Sequence, residues 1–193
     1  LLLSALWGGT FPMMRIASPQ LGPSVLAMGR IVVATATLAL LMRLLGQRWP
    51  WRDWREMTLL SLIVVAAPFF LFSQASIWLP AGYVALVNST GVIYGTLISA
   101  WFKEDRLTAG KLVGCLCGAV GVALIVQLGP IQPTPTVLLG TLAASLGAVC
   151  FGFSIPMMKR TARRIDPLAI AGPLHLFAIP WIAPLGLTAL PQA

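Results

Sequence analysis

Trp7-Gly8-Gly9-Thr10-Phe11-Pro12-Met13-Met14-Arg15 returns as Phe151-Gly152-Phe153-Ser154-Ile155-Pro156-Met157-Met158-Lys159, an offset of 144, and Pro23 returns at the same offset as Pro167. Met-Met occurs only at these two places, each time after Pro and before a cation. Both copies close an apolar stretch, so the chain carries an internal repeat. Repeats inside a membrane protein build two pseudo-symmetric halves around one solute path.

The composition around this repeat belongs to a bilayer. Only 9% of residues are charged, 58% are hydrophobic and the mean hydropathy is +0.89, where an ordinary soluble domain has about 25% charged residues. The net charge of +8 does not indicate nucleic acid, because the cations sit in short loops between apolar runs rather than on one amphipathic face. Cys115, Cys117 and Cys150 all fall in apolar runs without CxxC spacing, and there is a single histidine. Neither a metal site nor a cofactor is therefore expected. The sequence opens at Leu1 inside its first apolar window, which suggests an amino-terminally truncated span more than a cleaved signal peptide.

Windows of roughly 20 residues, the length needed to cross the hydrocarbon, fall near 1–18, 23–45, 57–79, 82–102, 107–128, 137–158 and 167–189. They are continuously apolar, so they predict helices rather than barrel strands. Eleven of the thirteen Lys and Arg residues follow spans two, four and six: Arg43, Arg48, Arg52 and Arg55, then Lys103, Arg106 and Lys111, then Lys159, Arg160, Arg163 and Arg164. The positive-inside rule puts those loops, and the amino terminus, in the cytoplasm. Trp49, Trp51, Trp54 and Trp101 on the inner side, with Trp78 and Tyr83 outside, fit interfacial belts. Five spans separate the starts of the two copies, an odd number, so the second copy is expected upside down relative to the first. That arrangement supports alternating access.

Several further stretches carry a resemblance. Trp7 to Phe11, Gly22-Pro23 leading to Arg30, and Leu79-Pro80-Ala81-Gly82-Tyr83-Val84-Ala85-Leu86 come first; Glu104-Asp105-Arg106-Leu107-Thr108 and Gly114 to Val122 come after them. In order and spacing they resemble the EamA-type branch of the drug/metabolite transporter superfamily. The resemblance implies an all-α, polytopic transmembrane bundle of inverted five-helix repeats in the bacterial inner membrane. Seven spans would be present here of about ten, with a first repeat over 1–128 and the start of the second over 129–193. Two departures stand out: Gly91 lies where the family often has Pro, and Glu104 adds a second acid beside Asp105.

Arg30 is the sharpest candidate for substrate binding. It sits about seven residues, roughly 10 Å at 1.5 Å per residue, inside the outer end of span two. An intramembrane cation faces either a watery cavity or, by snorkelling, the headgroups. All five acids, Asp53, Glu56, Glu104, Asp105 and Asp166, lie in loops or at helix ends. A substrate carboxylate or phosphate, or backbone carbonyls, are then the partners open to a guanidinium fork.

Asn88, Gly91, Gly95 and Ser99 form one helical stripe, read as helix packing for the last three and as packing or ligand contact for Asn88. Gln74, between Phe70 and Trp78, and Tyr94 read either as pocket lining or as interfacial side chains. Trp7 joins the substrate-binding set. Gly8, Gly9 and Pro12, with their counterparts Gly152 and Pro156 and with Gly91, are candidate hinges or gates, or tight-packing points. Gly110, Gly114, Gly118 and Gly121 make span five a packing face, within the bundle or in a homodimer. His175, one position from the counterpart of Arg30, is a candidate proton relay or a hydrogen-bonded structural histidine.

The leading function is a secondary transporter exporting or exchanging a small polar or amphipathic metabolite, such as an amino acid. The alternatives are a membrane-embedded enzyme and a non-transporting helical partner. With one His and no acid inside the spans, general acid–base catalysis has little to work with.

Overall fold

Three of the helices start at Pro23, Pro135 and Pro167, residues whose missing N–H costs nothing in a first turn and whose fixed φ suits it. Thr134 and Asp166 sit just before the latter two and accept from the backbone N–H groups of Val137 and Leu168 at 3.3 and 2.8 Å. In a computed structural model that describes residues 2–128 and 134–189, seven helices occupy the seven expected windows. They are α1 (Leu2–Leu21), α2 (Pro23–Leu44), α3 (Trp51–Trp78), α4 (Ala81–Trp101), α5 (Ala109–Leu128), α6 (Pro135–Thr161) and α7 (Pro167–Thr188). No strand occurs among the described residues. The expected repeat junction at 128/129 and the connection over 129–133 lie outside them.

Helices α2, α3, α4, α6 and α7 are long and apolar enough to cross a bilayer, and Ala109–Leu124 of α5 is a shorter apolar stretch. Large apolar side chains such as Val33, Val92, Val113, Leu116 and Leu142 are exposed along the helices. A water-facing surface does not carry so many. The chain is a multi-pass helical membrane protein.

Two of the helices are irregular for identifiable reasons. In α3 the segment Leu62–Ala66 is a π-helical turn, one residue before Pro68, which cannot donate to the carbonyl four residues back and crowds it, so the turn ahead of it widens. In α4 the helix is interrupted for one residue at Thr90, between Ala81–Ser89 and Gly91–Trp101. The tight connections use positive φ where it is needed: Gly22 (φ 79) between α1 and α2, and Gly46 (φ 67) after α2, where Gln47 N–H returns to Met42 O at 2.9 Å.

Two cores hold the helices. One joins α2, α3 and α7 through Ala27, Ile31, Met57, Leu60, Ile170 and Leu174. The other joins α1, α3, α4 and α6 through Phe11, Met14, Phe72, Leu79, Val84 and Ala144. Helix α6 lies so close to α3 and α4 that its glycines have no room for a side chain. A Cβ at Gly140 would meet Leu79 at 2.8 Å, one at Gly147 would meet Phe72 at 2.9 Å, and one at Gly152 would meet Tyr94 Cβ at 2.6 Å and Gly95 N at 3.1 Å. Gly91 faces the Ala148 carbonyl.

Polar contacts tie the two ends of the bundle. Arg15, near the end of α1, donates to the Ser76 and Ile77 carbonyls near the end of α3. At the start of α3, Glu56 accepts from Arg164 and from Thr161 Oγ1, and Asp53 lies 3.5 Å from Arg164. Arg15 and the α6 terminus therefore mark opposite ends of α3, so α1 and α6 run in opposite directions.

Candidate functional site

The turn widened by Pro68 sets the next residue, Phe69, against α2, and the Arg30 guanidinium lies over the Phe69 ring at 4.7 Å from its centroid. Such a stack stabilises a poorly hydrated cation modestly. Arg30 is half-buried and has no hydrogen bond or salt bridge to any described residue. It opens onto a cavity of about 250 Å³ walled by α1 on one side, through Trp7, Thr10, Phe11 and Met14. Phe69 and Phe72 of α3 and Phe151 of α6 complete the wall. The rings pack on one another: Trp7 tilts against Phe151 at 5.8 Å, Phe72 meets Phe151 at 5.6 Å, and Phe11 stands edge-on to Phe72 at 6.1 Å. An aromatic chamber with one fixed cation is the make-up of a small-molecule pocket.

On the other side of Arg30 a wider apolar groove of about 630 Å³ runs along α2 past Val25, Leu26, Gly29 and Val33, with Phe69 and His175 at its wall. Arg30 and Phe69 thus separate chamber from groove. His175 sits with its ring 6.3 Å from Phe69, its Nδ1 at 2.9 Å from the Ala171 carbonyl of its own helix. That contact uses one ring nitrogen on the backbone.

Of the five residues expected to bind substrate, the chamber brings together Arg30 and Trp7. Gln74, Asn88 and Tyr94 are not among its lining residues. Tyr94 packs beside Gly152, and the buried Asn88 Oδ1 has no hydrogen-bond partner among the described residues. Of the expected hinges, Gly8, Gly9 and Pro12 lie on one unbroken helix, exposed, with open space where each glycine would carry a side chain. Gly91 and Gly152 are buried in the α4–α6 contact, and Pro156 is buried too. The interruption in α4 falls at Thr90, one residue before Gly91. On α5, a Cβ at Gly118 would meet Ile93 of α4 at 3.6 Å, while one at Gly110, Gly114 or Gly121 would meet open space.

Sequence reading passed over Phe69, Phe72 and Met14. The available signal was Pro68, since an intrahelical proline marks the turn where a helix changes its face.

These helices, with α1 and α6 running in opposite directions beside an aromatic cavity that Arg30 lines, define a polytopic helical membrane protein. The sequence profile of the EamA-like transporter family matches residues 1–127, and the chain belongs to that family. It is 25% identical over 142 residues to an uncharacterized transporter of Archaeoglobus fulgidus, covering 72% of this chain and 51% of that one. It is 27% identical over 124 residues to a probable terminal-alkyne amino-acid exporter of Streptantibioticus cattleyicolor, covering 64% and 42%. With Protein PecM of Dickeya dadantii the identity is 24% over 159 residues, covering 81% and 50%. The chain spans about half the length of the curated relatives it matches. No solved structure matches it.

Proposed function

We propose that this chain forms the substrate-holding part of a secondary transporter in the cytoplasmic membrane, with its amino terminus in the cytoplasm. It exports or exchanges a small amphipathic metabolite bearing an anionic group, amino acids among them. One observation carries the reading: a half-buried guanidinium, with no acceptor among the described residues, at the wall of an aromatic chamber. A charge inside a membrane protein is costly to keep, and it persists where a ligand or water completes it. The amino-acid exporter from Streptantibioticus cattleyicolor supports the metabolite class. Family membership and the opposed directions of α1 and α6 support alternating access over 1–128 and its inverted partner from 129 onward.

In this mechanism the anionic group docks on Arg30 while Trp7, Phe11, Phe72 and Phe151 enclose the apolar part. Opening alternates between the two faces as the chamber wall on α1 moves relative to α3 and α6. Gly8, Gly9 and Pro12 give α1 the flexibility for that motion. The tightly packed α6 moves with α3 and α4.

The test is counterflow of labelled amino acids and organic acids into proteoliposomes carrying the full-length protein. Arg30→Ala is expected to lower flux at least about tenfold, the scale of one lost charge-assisted hydrogen bond. A mutant that folds and transports like the parent overturns the anion-site reading.

A further inference from the structure

We propose that the chamber takes a compact organic carboxylate without an ammonium group, in preference to the amino acid of the same skeleton; the assignment rests on the substrate site proposed above and narrows its ligand. The chain has five acids, and each is engaged elsewhere. Asp53 and Glu56 face Arg164, Glu104 binds Arg160 and Arg163, Asp105 pairs with Lys111, and Asp166 caps the start of α7. None lines the chamber. Among the described residues, those with polar side chains that line it are Arg30, Trp7 and Thr10. The first two only donate.

A carboxylate on Arg30 gains forked, charge-assisted hydrogen bonds away from bulk water. An α-ammonium held two bonds from that carboxylate gains nothing comparable. The guanidinium repels it, and none of the five acidic side chains is there to accept from it. The nearest ring, Phe69, is already covered by Arg30 at 4.7 Å, and Trp7, Phe72 and Phe151 are packed on one another. Cation–π attraction to what remains of those faces is the weaker compensation. A desolvated ammonium without an acceptor is penalised. The chamber volume of about 250 Å³ falls just under the usual range of roughly 300–1,000 Å³ for drug-sized ligands, so the apolar part is one ring or a short branched chain.

Isothermal titration of the full-length protein with 3-phenylpropionate, phenylalanine and 2-phenylethylamine tests this with one shared skeleton. The expected order is acid, then amino acid, then amine, with about tenfold or more between the first two, the scale of one unsatisfied buried polar group. Arg30→Gln is expected to erase the acid's advantage. Arg30→Lys, which retains the charge without the fork, preserves the order at lower affinity. Phenylalanine binding as tightly as 3-phenylpropionate overturns the proposal, as does a failure of the acid to bind or an unchanged preference in Arg30→Gln. Counterflow measured on the same preparation judges transport separately: the expected binding order without flux keeps the ligand assignment and removes the transporter reading.

Discussion

Gly8 and Gly152 are the same residue in the two copies of one motif, yet their surroundings are opposite. Around Gly8 nothing lies within 4 Å of where a Cβ would go, while at Gly152 the same atom would sit 2.6 Å from Tyr94 Cβ and 3.1 Å from Gly95 N. Alanine is favoured over glycine in a helix by about 0.8–1.0 kcal/mol, but overpacking costs typically about 1–3 kcal/mol. The second effect dominates where the neighbour is backbone that cannot rotate away. Gly152→Ala is therefore expected to lower the thermal midpoint of the detergent-solubilised protein, and Gly8→Ala to leave it unchanged or raise it. If Gly8 also serves as a hinge, Gly8→Ala slows counterflow without loss of stability, a split that packing alone would not produce. The likeness of the two stretches is visible in the sequence; which of them is packed and which is open is not, because that depends on the neighbouring helix.

At the scale of the element, the polar end of α6 is held to α4 by Glu104. Its carboxylate accepts from Arg160 at 2.6 Å and Arg163 at 2.7 Å, its carbonyl accepts from Lys159 at 2.7 Å, and Arg160 also reaches the Phe102 carbonyl and ring. The hydrogen bond from Arg160 above all, then the charges of Arg163, Arg160 and Lys159, hold the Glu104 carboxyl below its ordinary range. A depressed carboxylate contributes stability that is complete above its unfolded value, near about 4.3, and is lost as pH falls through its folded value. Thermal scans are expected to show the midpoint falling below that pH in the parent and falling less in Glu104→Gln. A parallel descent of both proteins would mean that this ion cluster does not set the acid limit. The acid pair at 104 and 105 was visible in the sequence, but the partners of Glu104, 55 or more residues away, were not. The same limit applies to α3. Phe70, Gln74 and Trp78 stand out in the sequence by their spacing of four, yet the residues of α3 that line the chamber are Phe69, over which Arg30 lies, and Phe72. All of them sit on the same regular stretch beyond the π turn, so spacing finds the helix while the neighbouring helices decide which of its faces borders the cavity.

For the whole molecule, hydropathy and loop charge suffice to place seven helices and to order them, because bilayer thickness fixes their length and unpaired cations avoid crossing. Their mutual packing gives the relative direction of α1 and α6, which an inverted arrangement requires. Arg15 binds carbonyls near the end of α3, and Arg164 binds acids near its start, so residues just past Arg15 and just past Lys159 belong on opposite sides of the membrane. Under the topology proposed above, the Lys159 side, with four cations close together against one at Arg15, is the cytoplasmic one. Single cysteines at Gln20 and Arg163, introduced after replacing Cys115, Cys117 and Cys150, convert this into a measurement. In intact cells a membrane-impermeant maleimide is expected to label Gln20→Cys and spare Arg163→Cys, and in inside-out vesicles the pattern is expected to reverse. Gln20 and Arg163 are both exposed, so failure to label reports the side of the membrane rather than burial. Labelling of both from one side would mean that the two copies of the motif run the same way. The chamber between them would then lack the opposed halves on which alternating access depends.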